Sequence, residues 1–242
     1  MFSSFTAALL QFVSPSSSPT SQQKISKQIH RRSFFANLIL LLGYIFGAWF
    51  QIYEFQDRDR ELIAITVYFL AFALLIISGV VELSVDIFSV RTVGHGRYHS
   101  GSPIWNRFIS LLFISIAVID IVAFVCWIER DFYTEDILLI CSAYIIYVMS
   151  VLVLFFQTND PIEGIPDRVD LAANILIFVN SCPNIVLRHL DFSAVDYDDT
   201  VKRMELAVVI LFLISALLYV SADMIRVKTT SAVSESHRSL DV

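Results

Sequence analysis

Charge is scarce in this chain and unevenly placed. Only 17% of its 242 residues are Asp, Glu, Lys or Arg, against 56% hydrophobic residues and a mean hydropathy of +0.68. A soluble domain carries charge on about a quarter of its positions, so this composition excludes an ordinary soluble fold. The charges fall in short connectors between long charge-poor runs, the pattern required when about 20 apolar residues cross the hydrocarbon core. The formal charge of −6 therefore describes loops. No basic motif suggests a nucleic-acid partner.

Other absences narrow the reading. The three cysteines, Cys126, Cys141 and Cys182, lie inside apolar runs with no CxxC or Cys/His spacing, so neither a disulfide framework nor a zinc site is indicated. They read as small buried hydrophobes. No Asn-x-Ser/Thr sequon marks a glycosylated face. Nucleophile elbows, phosphate-cradling loops and H-E-x-x-H are all missing. The chain is expected to be non-enzymatic, with no cofactor and no metal.

No acid precedes Glu54, and residues 1–33 form a Ser-rich, basic tail ending in KISKQIHRR. Such a leader reads as disordered and either transit-like or a cytosolic flank under the positive-inside rule. A secretory signal does not fit MFSSFTAALLQFV, which lacks a basic n-region. Residues 227–242 are expected as a second disordered tail.

Between the tails, spans are predicted at about 34–53, 62–81, 107–128, 137–157, 169–189 and 205–225. The fifth is the least regular, because FVNSCPN at 178–184 interrupts its apolar run. Loop charge favours counting it. With six spans, eleven of the 17 basic residues gather on one side, among them Lys24, Lys27, Arg31, Arg32, Arg226 and Lys228. Both termini then lie on the cytosolic (or stromal or matrix) side. The connector TNDPIEGIPDRVD dissents, with only Arg168 as a base.

Internal repetition supports the same count. Ala36-Asn37 is followed by an aliphatic triplet, and Glu54-Phe55 comes 17 residues after the Asn; Ala173-Asn174 is followed likewise, with Asp191-Phe192 at the same distance. The second arms align from Glu61-Leu62 and from Glu205-Leu206. The middle pair shares only the layout. The expected fold is all-α: a six-helix integral membrane bundle of three consecutive helical hairpins. The first hairpin, with Gly43, Gly47, an acidic turn and a second helix ending in Ser78-Gly79, resembles the YrhK-like two-helix membrane domain over about 33–90, and more faintly over 170–228. That resemblance implies a membrane hairpin and no particular activity.

The repeat places Gly43 and Gly47 opposite Asn180 and Asn184. Gly43-x-x-x-Gly47 is a helix-packing pattern that lets two helices approach closely in lipid. The two amides are then either interhelical glue or the lining of a midplane site beside Pro183. Asp120, in IAVIDIVAF, is the acid deepest inside a span, and no Lys or Arg lies at comparable depth in the sequence. An intramembrane carboxylate is a functional candidate by default, with Asn180 a conceivable partner. Glu82, Asp86 and Asp223 are expected on wet helix faces near span ends. His95 and His99 read as part of a flexible basic loop near lipid headgroups.

Two functional classes follow. The first is a structural, assembly or interaction protein, partnered by the lipid bilayer and by another membrane protein or a second copy of itself. The second is a small transporter or proton-coupled channel using Asp120, Asn180 and Asn184.

Overall fold

A computed structural model describes residues 19–54, 61–93, 103–159, 162, 164–192 and 199–240. They form six helices: α1 (Pro19–Glu54), α2 (Glu61–Val93), α3 (Pro103–Ile128), α4 (Phe132–Asn159), α5 (Ile165–Phe192) and α6 (Asp199–Leu240). Each contains a stretch of 25 to 28 residues long and apolar enough to cross a membrane. At about 1.5 Å rise per residue these stretches exceed the roughly 30 Å hydrocarbon core. A helix satisfies its own backbone polar groups, and lipid offers no alternative partner. That need keeps α5 helical through FVNSCPN, with Pro183 inside it.

The helices form a closed ring. Each packs on its neighbours in the chain, and α6 closes against α1. The ring is antiparallel: Asn37, early in the predicted span 34–53 of α1, bonds Asp223, late in the span 205–225 of α6, so α1 enters and α6 leaves the ring at the same end. Small side chains let the helices approach; Ala36, Ala71, Ala173 and Ala222 are all at most 2% exposed. Large apolar side chains such as Val118, Val122, Val148 and Val179 point outward, as lipid requires. Cys141 and Cys182 are also on the outer surface and Cys126 is half-buried, so the cysteines are not core hydrophobes. Aliphatic residues outside and mixed residues inside leave the helices apolar on nearly every side.

The glycine pair divides. A Cβ on Gly43 would lie 2.9 Å from Leu75 Cδ2 and 3.2 Å from the Ala71 carbonyl, whereas one on Gly47 would meet nothing within 4 Å. Gly43 alone sets the α1–α2 approach. A close approach absent from the sequence reading is Gly79, where a Cβ would lie 2.7 Å from Ile114 on α3.

Helix also occupies 19–33 and 227–240, stretches expected as disordered tails. Neither contains an interior Gly or Pro, and Pro19 stands at the first helical position, where its missing N–H costs nothing. The α1 extension has partners as well: Ser33 donates to Glu82 (3.3 Å), and the Arg32 guanidinium lies 4.8 Å from the Phe88 ring centroid. Residues 1–18 lie outside the described residues, as do the loop bearing His95 and His99 and most of the first and fifth connectors.

The turn between α3 and α4 is fully described. Arg130 adopts φ 64°, Asp131 N–H donates to the Cys126 carbonyl and Arg130 N–H to Trp127. This is a Schellman closure with a non-glycine residue in the left-handed position. Asp131 then caps α4 by accepting from Thr134 N–H at 3.3 Å.

Candidate functional site

The ring is hollow. Its interior holds a cavity of about 280 Å³ lined by residues from all six helices. Much of the wall is aromatic. Tyr44 stacks on Phe212 with centroids 5.7 Å apart, while Phe50 meets Tyr68 edge-on at 4.9 Å and Tyr68 meets Phe72 at 4.6 Å.

Asp120 and Asn184 both line the cavity, as do Gly43 and Gly47. Asp120 faces Ser142 of α4, and Arg188 of α5 lies within its electrostatic reach. Arg188 is itself a lining residue, held by Glu205 of α6 at 3.3 Å. A base therefore does sit near the depth of Asp120, contrary to the expectation from sequence. It stands one helical turn beyond Asn184, so the spacing carried the signal; its position near the span end concealed it. Folding brings α3 and α5, which flank α4, to the wall of one space, which no local pattern announces.

Asn180 does not join them. Its amide Nδ2 donates to the Val208 carbonyl of α6 at 2.9 Å, and the residue is fully buried between the two helices. Its Oδ1 is buried with no hydrogen-bond partner among the described residues. It is the glue of the α5–α6 contact and no partner of Asp120. Of the two amides in FVNSCPN, one therefore binds a helix and the other faces the cavity. Ser181 donates back to the Phe178 carbonyl of its own helix at 2.6 Å.

The opposite end of the ring carries a second polar system, along the seams between hairpins. At the α6–α1 seam, Asn37 Nδ2 donates to Asp223 Oδ2 at 2.7 Å. At the α2–α3 seam, Ser110 donates to Asp86 at 2.9 Å, one turn beyond the buried Asn106. At the α4–α5 seam, Asn174 donates to Gln157 and accepts from Tyr219. Asn37, Asn106 and Asn174 stand 69 and 68 residues apart, each early in or just before the predicted span of an odd-numbered helix. Arg226 adds an ion cluster at the same end, 2.9 Å from Asp167, 2.6 Å from Asp170 and 3.1 Å from Asp223.

Asp86 and Asp223, expected on wet faces, are thus 4% and 1% exposed, because the adjoining helix supplies a donor to each, Ser110 of α3 and Asn37 of α1. Glu82 likewise faces inward, at the cavity, and accepts from Ser33. Comparison with protein-family models, with characterised proteins and with solved structures returns no match to this chain, so the resemblance of its first hairpin to the YrhK-like domain rests on its own residues.

Proposed function

We propose that this multipass protein is a non-enzymatic carrier that binds a small molecule inside its helix ring. The hollow interior carries this reading. A protein serving only to pack or scaffold gains most by filling its core to the usual density, whereas a mainly apolar cavity with a few convergent polar groups is the general form of a ligand site. Asp120, Asn184 and Arg188 are those groups here. The carrier reading thereby takes precedence over the packing role that composition alone favoured.

The topology proposed with it puts the Asn37 end and both termini in the cytosol, or the equivalent stroma or matrix. Arg91, Arg107, Arg168, Arg226 and Lys228 cluster toward that end, as the positive-inside rule requires.

A carrier cavity must meet water on at least one side. In a cysteine-free chain reconstituted into vesicles, Ile146→Cys and Ile177→Cys place thiols on the lining, and Val148→Cys and Val179→Cys place them at similar depth on the lipid face. The inner pair is expected to react with a membrane-impermeant thiol reagent while the outer pair stays protected. Protection of all four, with reagent offered from both sides, would sink the proposal.

A further inference from the structure

The sign of the cavity can be read from its walls. Among the described lining residues the charged groups are Glu82, Asp120 and Arg188. Arg188 is matched by Glu205 at 3.3 Å, and Glu82 lies toward the other end, where Ser33 donates to it. Asp120 is the third, and the neutral Ser142 hydroxyl of α4 hydrogen-bonds to it, with the Glu205-matched Arg188 the cation within its electrostatic reach. Around it the wall is formed by the faces and edges of Tyr44, Phe50, Tyr68, Phe72 and Phe212. Phe124, one turn beyond Asp120, stacks on Tyr68 at 3.8 Å and so fixes that ring at the carboxylate's end of the ring.

A carboxylate in a mainly apolar cavity with aromatic walls suits one class of ligand. The ring quadrupoles attract a cation over their faces, and more strongly when the cation is desolvated. A single acid at this depth is unfavourable alone, and a bound positive charge offsets that cost. An anionic ligand would meet Asp120 with only a guanidinium already matched by Glu205 to oppose it.

We propose, building on the carrier reading, that the cavity takes an organic cation: an ammonium carried on a compact apolar body, its charge held by Asp120 and its body by the aromatic wall.

The test compares isosteres. Benzyltrimethylammonium and neopentylbenzene have the same shape and differ in charge, and phenylmethanesulfonate supplies the anion. Equilibrium dialysis of each labelled compound against the full chain in lipid nanodiscs, corrected with empty discs, gives the binding. The ammonium is expected to bind saturably and about tenfold or more tighter than its neutral isostere, and the sulfonate not at all. Asp120→Asn should abolish that preference while leaving the neutral compound bound, and Asp120→Glu should retain it. Equal binding of cation and neutral isostere, or a preference that survives Asp120→Asn, overturns the charge assignment and leaves the carrier reading standing. Absence of binding by all three, together with unlabelled Ile146→Cys and Ile177→Cys, removes both. If Asp120→Asn does not fold, the discrimination between isosteres by the unaltered chain decides.

Discussion

The two ends of the helix ring spend their polar residues differently. At the Asn37 end, amides and carboxylates lie in the seams and are matched across them: Asn37 with Asp223, Ser110 with Asp86, Asn174 with Gln157. At the Asp120 end, the carboxylate lines the cavity and is hydrogen-bonded to the hydroxyl of Ser142. Buried polarity by itself therefore does not mark a functional residue. What separates the two cases is where the carboxylate stands: Asp86 and Asp223 are buried in the seams at 4% and 1% exposed, whereas Asp120 lines the cavity.

That contrast can be broken most sharply at Arg226. Replacing it with Met removes the cation shared by Asp167, Asp170 and Asp223 at the α5–α6 contact. Removing one member of a largely buried ion cluster costs about 3 kcal/mol or more, and a large drop in melting temperature in nanodiscs is expected. Seam amides come next. Asn37→Leu leaves Asp223 Oδ2 without the Asn37 donor and Asn174→Leu takes away the donor of Gln157, each costing about 1 to 2 kcal/mol in the same melting assay. If the seams were not structural, these leucines would raise stability, as apolar substitutions in lipid tend to do.

The glycines give the smallest and most local comparison. Gly43→Ala puts a methyl 2.9 Å from Leu75 and 3.2 Å from a backbone carbonyl that has little room to move, which costs about 1 kcal/mol or more. Gly47→Ala enters open cavity and should stay within about 0.5 kcal/mol of the parent chain. Equal losses at the two positions would show that the ring closes tighter around Gly47 than its geometry indicates.

The six helices were legible in the sequence because the cost of exposing backbone to lipid forces one long apolar run per crossing, and even FVNSCPN obeys it. The ring was not legible. Whether α6 packs on α1 depends on closure over the whole chain, and the bond from Asn37 to Asp223 follows from that closure. The repeat shows the same limit in miniature. Aligning the second arms from Glu61 and Glu205 sets them 144 residues apart, whereas the buried pairs Ser78 with Ser215 and Asp86 with Asp223 stand 137 apart, the spacing of Asn37 and Asn174. The two spacings differ by seven residues, about two helical turns. Gly43 and Asn180 obey the 137-residue spacing too, each lying against a backbone carbonyl of the next helix, Ala71 and Val208. One position separates those helices by having no side chain and the other joins them by an amide.

The central claim is that polarity at one end of the ring holds the fold while polarity at the other serves a ligand. Melting curves of Asp120→Leu and Arg226→Met, recorded side by side in nanodiscs without ligand, test it most directly. The account predicts that Asp120→Leu melts at or above the temperature of the parent chain and that Arg226→Met melts far below it. Comparable destabilisation by both would contradict the account and make Asp120 one more structural residue.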